Sequence, residues 1–269
     1  MNQAGRGTIR VSRVNGHSVL TAARAHSPLK LLNPRHGGSS AWTYVATYGG
    51  GLVSGDALSI DVEVDAEAAA LVATQASTKV YRSAERATQT LRARLGRDSL
   101  LVVLPDPVTA FAGSRYRQDQ QIDLAPTSSL VLLDWFTSGR VGSGERWQFD
   151  AYTSRTMLHR DGRLIWHDAV ALAGGAGSLA RRMDRFNCLA LVVAVGPLVR
   201  SAATRLLGVV SSTPAPRRAD VLLTASPVDD GGVLLRVAGR STEEVGALLR
   251  QHLAFVPALL GDDPWACRW

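Results

Sequence analysis

Apolar and polar side chains alternate strictly near residue 60, and the rest of the chain is organised around that stretch. Over residues 58–65, leucine, isoleucine and two valines occupy every second position, with serine, aspartate and glutamate between them. A period of two places one set of side chains on each face of an extended chain, and it indicates a half-buried β-strand. A glycine-rich loop over residues 48–56 precedes this strand.

Short apolar or alternating runs, separated by turn residues, recur along most of the chain. Asn15-Gly16 and Asp161-Gly162 are dipeptides typical of two-residue hairpin turns, and each lies between two such runs. No repeat of fixed period and no low-complexity linker interrupts the series, so we expect one domain over residues 1–269, with residues 1–8 frayed. The runs predict strands or short extended pieces over residues 9–23 (two segments), 28–34, 42–48, 58–64, 69–74, 88–95, 100–104, 130–136, 147–159, 163–167, 188–195, 220–225 and 233–237.

Helical spacing of apolar side chains occurs in the last third of the chain. Over residues 198–210 the apolar positions recur on one side of a predicted helix. Ser241, with Glu244 three positions later, forms a capping-box pattern and predicts a second helix that ends near His252. The predicted fold class is therefore mainly β, with two α-helices in the C-terminal region.

Composition supports a globular protein with a basic surface. Hydrophobic residues make up 46% of the 269 residues, and the formal net charge is +7. Residues 79–117 hold eight basic and three acidic side chains, a balance typical of binding to nucleic acid or to an acidic partner. Because aromatic side chains that could stack on bases are sparse there, a surface that faces solvent or a protein partner is favoured. A basic nucleic-acid-binding module is the alternative.

Cysteine and histidine usage argues against a tight metal site. Cys188 and Cys267 are the only cysteines, and the six histidines show no spacing typical of metal ligands. The N-terminus lacks an apolar segment of signal-peptide length, and the apolar run over residues 188–195 is too short to span a bilayer. We therefore expect a soluble protein of the reducing cytoplasm, without a permanently bound cofactor.

The glycine loop has the spacing of a phosphate-binding loop without its chemistry. Gly50 and Gly55 match two glycines of a Walker A loop, but Asp56 stands where a lysine is needed and would repel phosphate. The dinucleotide fingerprint fails as well, because its third glycine would fall at Ser54 and a strand follows instead of a helix. The loop is therefore predicted to be a turn with positive φ angles and a close backbone approach.

Two carboxylates follow the apolar run that ends near residue 136. A buried Asp134 with a raised pKa could act as a general acid, although capping a turn through Ser138 or pairing with Arg140 is the more common role. Glu145 has an arginine beside it and is more typical of a surface ion pair than of a catalytic base. A hydrolase that uses Asp134 or Glu145 is thus a second alternative function.

Four ordered blocks of sequence resemble the family of the urease accessory protein UreD, called UreH in some organisms. The blocks are YGGGLVSGD at 48–56 with TQASTKVYRS at 74–83, LPDPV at 104–108 with FA at 111–112, DWFTSGR at 134–140 with GERW at 144–147, and C-terminal matches at 187–190, 196–197 and 264–269. The resemblance covers about residues 28–269, and the opening of the first block departs from the usual Pro-Pro-Gly-Gly. The matching positions include Gly49, Gly50, Gly51, Gly55, Asp56, Thr74, Gln75, Thr78, Lys79, Tyr81, Arg82, Pro105, Asp106, Pro107, Asp134, Trp135, Ser138, Gly139, Arg140, Gly144, Glu145 and Trp147.

The resemblance implies a fold and a function. The implied fold is an elongated stack of β-sheets with helical topology, formed as one domain. The implied role is that of a scaffold, not an enzyme, which joins UreF and UreG to apo-urease and helps to deliver nickel to the urease active site. UreG would supply the GTPase activity, and nickel would bind only transiently. The resemblance also allows a dimeric assembly within the accessory complex. Neither nucleic acid nor a membrane is an expected partner.

An internal passage for nickel is also implied by the resemblance. Transit requires weak binding, and carboxylates, carbonyl groups and water exchange metal more readily than clustered histidines or cysteines. We therefore hypothesise that some of Asp56, Asp134 and Glu145 face a polar interior route. The alternative is that all three are turn caps and members of ion pairs.

Overall fold

The structure, a computed structural model, describes residues 4–174, 178–216 and 218–266. The strands within these residues are β1 (Ala4–Val14), β2 (His17–Ala25), β3 (Leu29–Leu32), β4 (Ala41–Thr47), β5 (Ala57–Val64), β6 (Ala69–Thr74), β7 (Thr78–Val80), β8 (Ala87–Leu95), β9 (Leu100–Leu104), β10 (Val108–Ala110), β11 (Arg115–Leu124), β12 (Ser129–Thr137), β13 (Ala151–Arg160), β14 (Arg163–Ala173), β15 (Cys188–Val195), β16 (Val221–Val228) and β17 (Gly232–Gly239). The helices are α1 (Leu179–Met183), α2 (Arg200–Ser212), α3 (Thr242–His252) and α4 (Val256–Leu260), with short 3-10 helices at Val141–Ser143, Pro197–Val199 and Asp229–Gly231.

Two sheets face each other and are built up together along the chain. The first sheet has the order β14-β13-β11-β8-β5-β1-β2, and the second has the order β16-β17-β15-β12-β9-β6-β4-β3. The short strands β7 and β10 join the second sheet beside β12. The chain alternates between the two sheets, passing from β5 to β6, from β8 to β9 and from β11 to β12. Each round adds one strand to each sheet, parallel to the strand that the previous round added. The prediction of a mainly β fold is confirmed, and the alternation has the helical topology that the resemblance implies.

The second sheet is buried on both faces. Its inner face packs against the first sheet, and its outer face is covered by α2, α3 and α4. Strands buried on both sides consist of nearly continuous apolar residues, and this explains the runs LLVVL in β9 and CLALVVAV in β15. The first sheet keeps one face in solvent, so its strands alternate between buried and exposed positions, as in β5.

Several sequence predictions need correction. The N-terminus is not frayed over residues 4–8, because β1 pairs with β2 and β5 from Gly7 and Ala4 onward; residues 1–3 lie outside the described part. Trp147 lies in a turn with a φ of 56°, and the strand predicted to start there begins at Ala151. No strand is predicted over residues 115–124, where the structure has β11.

The two predicted helices are present as α2 and α3. The capping box is confirmed, because the Ser241 hydroxyl accepts from the Glu244 N–H and the Glu244 carboxylate accepts from the Ser241 N–H, each at 3.1 Å. Helices α1 and α4, of five residues each, are additions that the spacing of apolar side chains does not predict. Within the described residues, no helix is both long enough and apolar enough to cross a membrane.

The C-terminal segment is fastened to the loop that precedes β4. The Gly37 N–H donates to the Asp262 carboxylate at 2.7 Å, and the Ser40 hydroxyl donates to the Leu260 carbonyl at 2.7 Å. We refer to residues 36–42 and 260–262 as the C-terminal clasp. Its bonds join residues more than 200 positions apart, so it holds the last helices against the start of the second sheet.

The clasp is expected to loosen as the pH falls below about 6.5. The His36 ring stacks on Trp42 with 4.4 Å between ring centroids, and its Nδ1 accepts from the Gly38 N–H at 3.2 Å. Burial lowers the pKa of His36 below its ordinary value of 6.5, and the nearby Asp262 opposes this effect only in part. The opened state therefore binds a proton more tightly than the closed state does, and stability present above pH 6.5 is lost as the pH decreases.

Amide hydrogen exchange over residues 36–42 and 260–262 measures this opening at neutral and mildly acidic pH. Backbone N–H groups of Gly37 and Asp263 hold the pKa of Asp262 below its usual range, so Asp262 stays ionised across this interval. The His36→Gln variant should therefore lose the pH dependence. An equal pH dependence in that variant would contradict the assignment to His36.

Candidate functional site

The glycine loop before β5 is a tight turn, as predicted. Positive φ angles of 82°, 71° and 75° occur at Gly49, Gly50 and Gly55, a backbone conformation that glycine adopts without strain. A Cβ atom at Gly51 would lie only 2.6 Å from the Lys79 carbonyl oxygen. The loop is therefore held against β7 by close backbone contact.

Asp56 caps that turn. Its carboxylate accepts from the Val53 N–H at 2.9 Å, and its own N–H donates to the Val53 carbonyl at 3.1 Å. The Asp56 carbonyl accepts from the Thr88 N–H at 2.8 Å, which joins the loop to β8. Asp56 is buried at 6% exposure, and these bonds give it a structural role in the loop.

Glu145 belongs to an ion pair that connects two of the sequence blocks. Its carboxylate accepts from the Arg140 guanidinium and, at 3.2 Å, from the Ala112 N–H. The hydrogen bond from Arg140 is the main cause that holds the pKa of Glu145 below its ordinary value. The Arg140 guanidinium also lies 4.3 Å from the centroid of the Phe111 ring. An ion pair is thus present, with Arg140 as the partner and not the adjacent Arg146.

Asp134 has a different setting, between the two sheets. Its carboxylate accepts from the Ser154 hydroxyl at 2.6 Å, and the Gln118 amide also hydrogen bonds to it. Burial raises the pKa of Asp134, and the negative charge of Asp168 raises it further. The prediction that Asp134 caps a turn or pairs with Arg140 is wrong, because β12 continues past this position and turns its side chain inward.

Polar side chains continue from Asp134 along the inner face of the first sheet. Strand register aligns Gln89, Gln118 and Ser154 in one row, and Gln120 with Thr156 in the next row. The Gln118 amide donates to the Ser154 hydroxyl and the Gln120 amide to the Thr156 hydroxyl, each at 3.2 Å. Neighbouring strands are about 4.8 Å apart, so like positions on successive strands stack into a continuous polar ladder. We call these five residues the inner ladder.

Three cavities follow the inner ladder between the sheets. The loop cavity, of about 160 Å³, lies behind the glycine loop and is lined in part by Gln75 and Lys79. The middle cavity, of about 40 Å³, shares Thr74 and Gln89 with the loop cavity. The end cavity, of about 290 Å³, shares Asp134 with the middle cavity. The shared lining residues place the three cavities in series, with Asp134 between the middle and end cavities.

The end cavity lies between the later strands of the two sheets. Its walls come from β13 and β14 of the first sheet and from β12, β15, β16 and β17 of the second. Apolar side chains such as Phe136 and Leu191 line much of it, and its charged groups are Asp134, Asp168 and Arg236. The Arg236 guanidinium lies 3.3 Å from the Asp168 carboxylate.

The sequence blocks meet along this route, although they are far apart in the chain. Gly50, Gln75, Thr78 and Lys79 line the loop cavity; Thr74, Pro105, Asp106, Asp134 and Trp135 line the middle one. The Asp106 N–H donates to the Thr74 hydroxyl at 2.7 Å, which joins the first block to the second. Neither Asp56 nor Glu145 is among the described residues that line the three cavities.

Sequence reasoning misses most of the interior polar groups. The missed residues are Gln89, Gln118, Gln120, Ser154, Thr156, Asp168 and Arg236. The one available signal is the pattern RYRQDQQIDL in β11, where glutamines occupy the inward positions of an alternating strand. A glutamine at such a position interrupts the apolar alternation, so the sequence pattern no longer indicates a strand there.

The oxygen atoms that face these cavities suit weak binding of a hard cation, which they would exchange readily. No group of three or more histidine, cysteine, aspartate or glutamate side chains is placed to hold a metal ion in the described part of the chain. Asp134, Gln118 and Ser154 instead offer carboxylate, amide and hydroxyl oxygens, which are hard ligands. Asp134 is the residue best placed to bind a cation, with the other two beside it.

Comparisons with known proteins agree with the sequence blocks. The family model described as UreD urease accessory protein matches residues 3–269. Among the relatives, a urease accessory protein UreD of Sorangium cellulosum is 50% identical over 99% of this chain and 85% of its own length. The UreD of Anaeromyxobacter is 49% identical over 98% and 89%, and urease accessory protein D of Oryza sativa subsp. indica is 37% identical over 97% and 95%. The chain therefore belongs to the UreD family of urease accessory proteins.

Proposed function

We propose that this chain is a non-catalytic scaffold that joins UreF and UreG to apo-urease in the cytoplasm and conducts nickel toward the urease active site through its interior. The observation that supports the conducting role is the series of three cavities along the inner ladder, with Asp134 between the middle and end cavities. Nickel is cargo in this proposal, held transiently by oxygen ligands.

The interior beside Asp134 is polar and incompletely filled. The ladder's side chains are hydrogen bonded, whereas a close-packed apolar core would leave no open space between the sheets. The inner ladder retains five polar side chains and open space where apolar residues could pack. A passing cation would compensate the buried charge of Asp134, whose pKa is raised by burial. Because entry of the cation displaces any proton on Asp134, acidic conditions should oppose it.

The contacts of Asp134 favour transport over hydrolysis. A catalytic aspartate ordinarily works with a nucleophile, an imidazole or a positioned water. The described lining of the three cavities contains no histidine and no cysteine. Ser154 donates its proton to Asp134, and Gln118 donates to Ser154. That arrangement fixes the carboxylate, and no imidazole among the described lining residues completes a catalytic triad with Ser154.

The charged outer face of the first sheet favours a protein partner over nucleic acid. Arg10 pairs with Glu63 at 2.8 Å, and Asp119 accepts from both Arg117 and Arg155, at 2.6 and 3.0 Å. Arginines neutralised in this way are poor phosphate ligands. A protein with alternating charges is the better match for such a surface.

Exposed apolar side chains mark two further surfaces for protein partners. Tyr48 and Val53 of the glycine loop are each 55% exposed, and Leu198 and Val209, at and beside α2, are about as exposed. Exposed apolar side chains that cluster are typical of interaction sites. We propose that the glycine loop and α2 contact members of the accessory complex.

Replacement of Asp134 by asparagine is expected to give assembled but nickel-poor urease. Asparagine has nearly the same shape and can still accept from the Ser154 hydroxyl, so folding should be retained while the negative charge is lost. The variant should co-purify with its partners, and the nickel content and activity of urease should fall at least several-fold. Metal analysis of urease purified from cells grown in limiting nickel makes the measurement.

Asp56→Asn and Glu145→Gln are the matched controls, because these carboxylates have structural partners outside the described cavities. Each control should either mature urease normally or fail to assemble. If Asp134→Asn assembles and matures urease as the unmodified chain does, the interior route is not used.

A further inference from the structure

One charged contact spans the open end of the interior route. Arg236 extends from β17 of the second sheet and Asp168 from β14 of the first, and their side chains meet at 3.3 Å. Both line the end cavity with Asp134. The contact therefore joins the two sheets across the end cavity, as the hydrogen bond between Ser154 and Asp134 also does.

Strand register shows how this ion pair lies relative to Asp134. In the second sheet, Asp134 is opposite Leu191, and Leu191 is opposite Arg236. Arg236 thus lies two strands outward from Asp134, about 9–10 Å along the sheet. In the first sheet, Asp168 is opposite Thr156, the last residue of the inner ladder. Asp134 marks the inner end of the cavity, and the ion pair marks its mouth.

The partners differ in how freely they can move. Asp168 is mostly covered, with its side chain 21% exposed, whereas the Arg236 side chain is 52% exposed. Half-exposed ion pairs are weak and readily broken, and arginine is long and flexible, so its guanidinium can swing into solvent. If Arg236 leaves, Asp168 stays in the cavity as a second carboxylate near Asp134.

We propose that Arg236 and Asp168 form an outer gate of the cation route. When paired, the guanidinium lies across the mouth, and its positive charge repels a divalent cation. When Arg236 swings outward, Asp168 becomes a ligand at the mouth and passes the cation to or from Asp134. This inference rests on the proposed nickel route and adds the device that controls its end cavity.

Charge-removing variants separate a gate from a structural ion pair. In Arg236→Gln the mouth loses its positive charge, so urease should load nickel faster at limiting nickel. In Asp168→Asn the guanidinium is no longer held and can turn inward toward Asp134, so loading should be several-fold slower. The double variant Asp168→Asn/Arg236→Gln should load faster than Asp168→Asn alone, because the guanidinium that could turn inward has been removed. A purely structural pair predicts that both single variants lose function and that the double variant does not recover.

The experiment uses the assembled complex of this chain with its partners and apo-urease, with Ni²⁺ added and the nickel content of urease followed over time. Arg240→Gln is the matched control, because Arg240 directly follows β17 and forms a 3.0 Å pair with Asp220, and neither residue lines the three described cavities. It should load at the unmodified rate.

Asp134→Asn, measured in parallel, distinguishes failure of the gate from failure of the route. If Asp134→Asn loads slowly while the Arg236 and Asp168 variants behave like Arg240→Gln, the gate is wrong and the route stands. If Asp134→Asn loads normally, the route is wrong and the gate is rejected with it. Slow loading by Arg236→Gln in an intact complex would also overturn the gate.

Discussion

Deletion of the gene for this chain from a urease-positive host is expected to leave the urease polypeptide present but inactive. The family match over residues 3–269 assigns the chain to urease accessory proteins, and the loss of activity follows from the nickel route proposed above. Without that route, nickel must reach apo-urease from solvent, where other ligands and metals compete. Immunoblots, activity assays and metal analysis should show that the urease is present, inactive and poor in nickel.

Restoration by a plasmid copy of the unmodified gene is the control for this deletion. High external nickel should restore part of the activity, because mass action can replace assisted delivery. Normal urease activity in the deletion strain at limiting nickel would remove the basis for the proposed function.

Strands whose side chains are apolar at regular positions are the predictable part of the fold. The alternation in β5 and the continuous run in β9 follow directly from burial on one face or on both faces. Helix α3 is predictable for a similar local reason, because the capping box needs only residues three apart. Each of these elements is determined by side chains close together in sequence.

Strand β11 shows where local patterns fail. Its inward positions carry Tyr116, Gln118 and Gln120 before the apolar Ile122 and Leu124. A glutamine on the inner face lowers the apolar periodicity on which strand prediction depends, although the backbone pairs in register with β8 and β13. The residues that make the interior polar are therefore the same residues that conceal the strand.

The setting of Asp134 depends on distant parts of the chain. Sequence alone places it near the end of a buried strand and cannot decide which way it faces. Its partner Ser154 lies 20 positions away, and the gate pair Arg236 and Asp168 is separated by 68 positions. Such contacts depend on how strands from successive turns of the chain align. The candidate site thus follows from the pairing of strands, and this pairing cannot be inferred from a short sequence motif.

Substitution of Gly196 by alanine is expected to be among the most destabilising single changes in this protein. Gly196 directly follows β15 and has φ 107° and ψ 170°, a region open essentially to glycine alone. An added Cβ would lie 2.3 Å from the Ser128 carbonyl oxygen and 2.7 Å from the Ser129 Cα, and backbone atoms cannot turn aside. Backbone strain of about 1–3 kcal/mol and overpacking of about 1–3 kcal/mol together should lower the free energy of unfolding by about 2–6 kcal/mol.

Gly208 provides the opposite case for the same substitution. It lies on the exposed side of α2, and apart from its chain neighbours and the adjacent backbone of the helix no atom lies within 4 Å of the Cβ position. Alanine there should raise the free energy of unfolding by about 0.5–1 kcal/mol, because glycine inside a helix costs more conformational entropy. Urea unfolding of both variants gives the two changes as shifts of the midpoint at constant slope. Equal midpoints for Gly196→Ala and the unmodified chain would mean that the turn after β15 relaxes without cost, against the close contacts seen at Ser128.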